Sequence, residues 1–503
     1  MQKKTKKTKF ALNLTVVFVL IGILGLGTNG LAQEKDKVTV IGQYLDACFQ
    51  RELINGTVLI AEKGNVLLKK SYGPANSEWD IPNSADTTFY LNTLSQQFTA
   101  AIILKLVEEG KLKLDGTLSD YLPDYREDTG KKVTIHHLLT HTHGIRDLEF
   151  PRLPLINTFT VKQFVKQYLN TDLEFEPGSQ FKYSTYAGYT LLAAIIQDVI
   201  GKPYEQVLHE KILQPLKMKH SGFIHHGVVL KKRASMYLNT TGERKTEFFK
   251  FSCNGANGMY STVDDLLLWD RALAGTALFS DKTKELMYKE HVPSSQSGST
   301  GYGWNIVKLT SENMKKRIAW QTGSGYSAIW RILDDDIVII SLNNKICGQL
   351  LEMCIGVTNI LFKRPGILPK RSFIDTLNKV IAREGIQAAI QKYNELRQDK
   401  PNEYNFDESE LNILGNYLLS INKIAEAVEI FKLNLNSYPN SWFIYARLGE
   451  ALVKGNNIKL AIQFFETAVK LMPRGEEQAY RDIMTVIKQL KEQQAKQPEK
   501  KDG

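Results

Sequence analysis

A chain of 503 residues exceeds what one ordinary hydrophobic core supports, so two or more domains are expected. With 43% apolar and 23% charged residues it describes a folded globular protein, and general disorder is excluded. The formal charge of +10 is partly local: residues 1–32 hold five lysines and no acid, and the remainder, about +5, has no basic stripe interleaved with aromatics of the kind a nucleic-acid-binding surface needs.

Residues 1–32 read as a secretory signal. "MQKKTKKTK" is a basic start, "FALNLTVVFVLIGILGLG" is an apolar run, and "GLA" ending at Ala32 fits small-x-small cleavage. The alternative is an uncleaved membrane anchor, because the apolar run is long for a signal. No Cys stands at the cleavage point, which argues against a lipoprotein. Either way the rest of the chain is expected in the periplasm or outside the cell. Export permits disulfides, but Cys48, Cys253, Cys347 and Cys354 allow three pairings that spacing does not choose between, and buried free thiols are an equal alternative.

From residue 33 to about 365 strand-like and helix-like patterns alternate. "GTVLIAEKGNVLLKKSYG" predicts a β-hairpin around Lys63-Gly64. "FTAAIILKLVEEG" is apolar nearly all round and stops at Gly110, which predicts a buried helix. "YTLLAAIIQDVIGKP" repeats that design and closes at Gly201 and Pro203, and "IWRILDDDIVIISLNN" predicts two late strands. Strands at both ends with helices between imply an α+β domain. From about 370 the texture is helical. Leu414, Gly415, Ala427, Phe431 and Pro439 recur as Leu448, Gly449, Ala461, Phe465 and Pro473, each pair 34 apart. That period resembles the tetratricopeptide repeat. A weaker copy, Ala389, Tyr393 and Pro401, precedes it. Residues 366–405 are therefore assigned to a helical linker with a degenerate repeat, 406–490 to the repeats, and 491–503 to a polar, disordered tail.

Four stretches of the first domain stand in a specific order: "TIHHLLTHTHGI" (134–145), "FEPGSQFKYST" (175–185), "NGMYSTVDDLLLW" (257–269) and "YGWNI" (302–306). Together they resemble the β-lactamase-related serine hydrolases, which include penicillin-binding proteins and class C β-lactamases, over most of residues 40–345. The resemblance implies an antiparallel sheet flanked by helices with a helical subdomain, followed here by an all-α tetratricopeptide-like domain. It also implies acyl transfer. A Ser at a helix N-terminus attacks a carbonyl, and a Lys three residues later on the same helix face takes the proton. A Tyr-x-Asn motif relays protons. A Lys-Thr-Gly or His-x-Gly strand lines the oxyanion side and grips the substrate carboxylate.

Every one of these motifs is altered. Setting "QFTA" (97–100) in register puts Thr93 where the Ser belongs and Gln96 where the Lys belongs. An amide has no basic lone pair near neutral pH, so Gln96 cannot deprotonate a hydroxyl. "YST" keeps Tyr183 but has Thr185 at the Asn position, and "WQTGSGYSAIW" puts Gln321 where His or Lys is expected, with Thr322 and Gly323 retained. The literal S-x-x-K strings, Ser179–Lys182 and Ser420–Lys423, read as chance. Ser95 is a second hydroxyl in the same turn, expected with Thr322 and Gly323 to touch substrate. An unperturbed phenol such as Tyr183 is only about 0.1% ionised at pH 7, so it is a poor lone base. His136, His137, His141 and His143 raise the question of a metal face, but the family pattern itself has a His at the place of His141, and only His143, standing for a Ser, is unusual. No metal or cofactor is assigned.

Two main readings follow. One is a pseudo-hydrolase that keeps the cleft for a peptide-like or cell-wall-derived ligand, with a protein or peptide partner on the repeats and the membrane involved only if the signal stays uncleaved. The other is a weak hydrolase of an ester, a D-amino-acid peptide or a β-lactam, acting through Thr93 or Ser95 with Tyr183. A metal-dependent hydrolase, resting on the histidines alone, is the third and least supported.

Overall fold

A computed structural model describes residues 36–147, 160–225, 228–238, 244–245, 255–294, 298–311, 314–473 and 476–496. The signal segment, Cys253 and residues 497–503 lie outside them. The chain divides into two compact units at Pro369/Lys370.

The first unit is built on one eight-stranded antiparallel sheet. Helix α1 (residues 36–50) leads into β1 (Gly56–Glu62) and β2 (Asn65–Tyr72), joined at Lys63 (φ 50°) and Gly64 (φ 83°), a left-handed pair of the kind that turns a two-residue hairpin. The remaining strands arrive more than 200 residues later: β3 (Val292–Ser294), β4 (Gly298–Thr300), β5 (Asn305–Ser311), β6 (Met314–Gly323), β7 (Ser327–Ile332) and β8 (Ile337–Asn343). The order across the sheet is β3-β4-β5-β6-β7-β8-β1-β2, so the last strand closes on the first, with Gly56 opposite Asn343 and Glu62 opposite Ile337. A Cβ on Gly56 would lie 1.9 Å from the Leu342 carbonyl oxygen, so this strand start accepts no side chain.

Both faces of the sheet are buried, which is why β1 and β8 read as continuous apolar runs. Val58, Ile60 and Ile339 face α1 and α5 (Leu350–Leu361), whereas Leu59, Ala61, Val338 and Ile340 face the helical body. That body is centred on α2 (Gln96–Glu108) and α3 (Ala187–Ile200), with α4 (Val263–Ala274) lying on β1 and β8. Helix α2 is buried on nearly every side. Phe98 stacks on Trp269 at 4.5 Å, and the Trp269 indole donates to Gln97 Oε1 at 3.2 Å. Cys48, Cys347 and Cys354 are buried free thiols.

The second unit holds α6 (Ile374–Glu384), α7 (Ile386–Asp399), α8 (Glu408–Ser420), α9 (Ile424–Ser437), α10 (Trp442–Lys454), α11 (Ile458–Leu471) and α12 (Glu477–Lys496); α6 packs on α7 and on α8, and from α8 onward each packs on the next. Residues 34 apart make the same contacts. A Cβ on Gly415 would meet the Phe431 ring at 2.5 Å, and one on Gly449 would meet the Phe465 ring at 2.9 Å. Helix α12 continues to Lys496, into the expected tail of residues 491–503, anchored by buried Leu490 and by the Lys491–Glu466 ion pair at 2.7 Å; the rest of that tail lies outside the described residues.

Candidate functional site

The turn of residues Asn92–Ser95 runs straight into α2, and its entry at Asn92 is left-handed (φ 51°). This bend places Thr93 under the end of β6. Its hydroxyl is buried and donates to the Thr322 carbonyl at 3.0 Å. The strand approaches so closely because of Gly323: a Cβ there would stand 2.0 Å from the Leu91 carbonyl oxygen. Beyond it the β6–β7 hairpin turns at Ser324 (φ 48°) and Gly325 (φ 80°), and Tyr326 N–H closes on Gly323 O at 2.8 Å. Ser95, the second hydroxyl singled out from the sequence, folds back inside the turn: its hydroxyl donates to the Asn92 carbonyl at 2.6 Å and accepts the Met259 N–H at 3.4 Å.

Gln96, fully buried, donates through Nε2 to the carbonyls of Thr185 (3.2 Å) and Ser184 (3.5 Å). Its Oε1 accepts from the Tyr183 hydroxyl (3.3 Å) and from Gln321 Nε2 (3.5 Å). Gln321 Oε1 in turn accepts from Asn305 Nδ2 at 3.0 Å and from the Thr322 N–H at 3.3 Å. Three amides thus form a directed chain, Asn305 to Gln321 to Gln96 to the backbone before α3. None of the described side chains hydrogen-bonded to Thr93, Gln96, Tyr183 or Gln321 is a Lys, Arg or His. Lys182 turns away to Glu174 at 2.5 Å.

The family model described as "Beta-lactamase" matches residues 38–345, the region that carries this sheet and turn. The chain belongs to the β-lactamase family. Among curated relatives it is 30% identical over 285 residues to the "Putative penicillin-binding protein PbpX" of Bacillus subtilis, covering 56% of this chain and 70% of that one. It is 26% identical over 311 residues to "Esterase EstB" of Burkholderia gladioli, covering 53% and 79%. Among solved structures, the octameric penicillin-binding protein homologue from Pyrococcus abyssi superposes with a TM-score of 0.59 at 24% identity, over 69% of this chain and 82% of that one, a likeness of fold.

Four of the five β-lactamase-family positions singled out from the sequence meet by side chain: Thr93, Gln96, Tyr183 and Gln321. Thr185 takes part through its backbone, its carbonyl accepting from Gln96 and its N–H donating to Asp147 Oδ2 at 2.5 Å. Asp147 also takes the N–H groups of Tyr186 (3.1 Å) and Ala187 (3.0 Å), capping α3 with the negative charge a helix start favours. Thr322 likewise contributes main chain. Asn305 and Asp147 were not singled out. Asn305 sits inside "YGWNI", a motif quoted for its pattern, and it reaches Gln321 because Asn305 pairs with Trp320 across β5 and β6.

The Tyr183 ring is 41% exposed, while its hydroxyl lies inward among Thr93, Gln96 and Gln321. Loss of water, aided by the Asp147 charge, pushes this phenol up to about 12. His141 stacks on Tyr183 with ring centroids 4.5 Å apart, but it supplies no cation: burial pushes it down to about 3, and its Nδ1 accepts the Ser184 N–H at 3.1 Å. The other histidines are spent separately. His137 Nδ1 accepts the Thr134 N–H, His143 Nδ1 accepts the Ile145 N–H, and His136 Nδ1 bonds the Tyr302 hydroxyl. Among the described residues no group of three His, Cys, Asp or Glu is placed to hold a metal ion.

Proposed function

We propose that the protein is an exported pseudo-hydrolase: it keeps the β-lactamase-type cleft to bind a peptide-like or cell-wall-derived ligand and does not form an acyl-enzyme. One observation carries this reading. At the base position Gln96 is a neutral amide whose donors and acceptor are all engaged, and the Thr93 hydroxyl points its hydrogen at a carbonyl that cannot accept the proton. Removing a general base alone typically costs about 10²–10⁴-fold, and here the relay phenol is held protonated as well. The relatives, a penicillin-binding protein and an esterase by name, suggest the ligand class: acyl compounds with an amide or ester carbonyl. We read the helical unit as tetratricopeptide-like, with a protein or peptide partner on its surface. The equivalent Gly415–Phe431 and Gly449–Phe465 contacts support that reading. Export rests on the signal-like residues 1–32.

The test is labelling of the full chain with a fluorescent penicillin and a fluorophosphonate, followed by mass mapping, beside an ester-hydrolysis assay. No adduct, and no hydrolysis that Thr93→Ala abolishes, is the expected result. A stable adduct on Thr93 would sink the proposal in favour of a weak threonine-type hydrolase.

A further inference from the structure

We infer that a cavity in the helical unit binds a peptide segment that presents an apolar side chain beside a Lys or Arg. This rests on the proposed reading that the unit carries a protein or peptide partner, and it names the place and the chemistry of that contact.

The cavity has a volume of about 680 Å³, within the roughly 300–1,000 Å³ typical of ligand sites. It is lined by the first turns of α9, the start of α7 and the end of α10. Ile386, Ile424, Val428 and Leu452 supply most of its apolar lining. Among the described residues that line it, the charged ones are both acids: Glu426 and Glu429, one turn apart on α9.

The internal copies separate what the fold requires from what is particular to this place. Ile424 recurs as Ile386, 38 residues before, and as Ile458, 34 residues after, so an isoleucine belongs to the common frame. The acids do not. Glu426 stands against Ala388 and Leu460, and Glu429 against Gln391 and Gln463. Ala425, an exposed part of the lining, stands against the longer Gln387 and Lys459. Only this copy combines a small residue with two carboxylates.

Each carboxylate has a lysine neighbour that holds it loosely. Glu429 pairs with Lys432 at 2.8 Å and Glu426 with Lys423 at 3.9 Å, and the four side chains are 30–50% exposed. Pairs of this kind contribute little in water, so an incoming ammonium or guanidinium exchanges for the lysine at small cost. Burial of a ligand's apolar side chain against Ile386 and Val428 supplies affinity, and the two acids select the sign of the charge beside it. An acidic ligand would bring like charge to the same carboxylates.

The experiment is an NMR titration of the full chain, its Ile, Leu and Val methyls isotope-labelled, with three blocked tetrapeptides. These are acetyl-Leu-Lys-Leu-Lys-amide, acetyl-Leu-Glu-Leu-Glu-amide and acetyl-Ser-Lys-Ser-Lys-amide. The first is expected to shift the methyls of Ile386, Ile424, Val428 and Leu452, and to bind at least about ten-fold more tightly than either of the others. Glu426→Gln with Glu429→Gln is expected to bring the Leu-Lys and Leu-Glu peptides within about two-fold of each other. Ala425→Trp, which fills the cavity from an exposed position, is expected to abolish the shifts. On the native chain, no shift of these methyls, or equal affinity for either comparison peptide, overturns the inference. A folded Ala425→Trp protein that binds as before overturns the assignment to this cavity, and a double variant that keeps the full preference overturns the role of the two acids. The partner reading fails separately: shifts confined to methyls elsewhere in the helical unit overturn the cavity and leave a peptide partner standing.

Discussion

Two buried polar clusters in the first unit have been built by opposite means. On the face of the sheet that meets the helical body, Arg331 on β7 donates through Nε to Asp270 at 2.6 Å and through Nη1 to the Tyr288 hydroxyl at 2.6 Å, and Arg271 ties the same Asp270 to Asp336. Arg331 and Asp270 are almost wholly buried. In the cleft, where the family resemblance calls for charge, Gln96, Gln321 and Asn305 hold one another as neutral amides. This fold therefore accommodates full charges in its interior when they are paired. What the cleft lacks is the pairing: with no acid facing residue 96, a lysine there would be an isolated buried cation, and an amide satisfies the same positions with no net charge to desolvate.

The comparison breaks most severely at Arg331. Arg331→Met leaves Asp270 and Tyr288 without their main donor, and removal of one partner of a buried pair costs about 3–5 kcal/mol. Urea unfolding should show a loss of that size, the upper part being spared because Arg271 still reaches Asp270. A loss under about 1 kcal/mol would show that the pair is not an essential part of the interior.

The next effect is acid sensitivity. Burial pushes His141 and His143 down to about 3 and His136 to about 4, with His137 and His291 also lowered. A lowered folded-state value means the unfolded chain binds the proton first. Stability is therefore undiminished above the unfolded value of about 6.5 and falls as pH drops from there toward the folded values. His141 and His143 together remove about 3 kcal/mol per pH unit in that window. Asp265, raised by burial, works in the opposite direction, but only in the carboxylate range. Unfolding midpoints at pH 7.5, 6.5 and 5.5 measure this. His143 Nε2 has no hydrogen-bond partner, so His143→Ser should remove about half of the pair's slope. An unchanged slope would clear His143 of the effect.

A smaller effect tests the amide chain. Asn305→Ala removes one neutral donor from Gln321 Oε1, which keeps the Thr322 N–H, so about 1 kcal/mol is expected. A loss comparable to that of Arg331→Met would mean that the neutral cluster is as unforgiving as the charged one.

Much of this was legible beforehand where the cause is local. The Lys63-Gly64 hairpin, the stops of the two apolar helices at Gly110 (φ 71°) and Gly201 (φ 72°), and the two late strands each depend on residues close in sequence. The register that put Thr93 and Gln96 at the head of α2 came instead from the family resemblance. The hidden features are non-local. Closure of β8 on β1 joins residues nearly 300 apart, and no periodicity encodes it. Asn305 meets Gln321 only through the β5–β6 register, and Asp147 caps α3 from about 40 residues away. Ser95 carried a plausible hydroxyl, and only the turn geometry shows it bonded to Asn92.

The smallest expected effect concerns restoring what the cleft has lost. Thr93→Ser with Gln96→Lys rebuilds the reacting pair in name, yet we expect penicillin acylation to rise less than about ten-fold, against the 10²–10⁴ that a working base supplies. A serine hydroxyl at 93 still lies under the Thr322 carbonyl, which keeps attracting its hydrogen. A lysine at 96 would remove the oxygen that accepts from the Tyr183 hydroxyl and from Gln321 Nε2, so both of those donors lose their acceptor. Gln321 would still offer no positive charge to the carboxylate of a penicillin. Adding Gln321→Lys should therefore do more than the double change alone, because it supplies the missing carboxylate contact. Acylation rates for the double and triple variants, measured with one fluorescent penicillin, separate the two causes. A double variant that acylates more than about a hundred-fold faster than the native chain would show that the strand and the phenol were never the obstacle, and that the cleft had lost only its base.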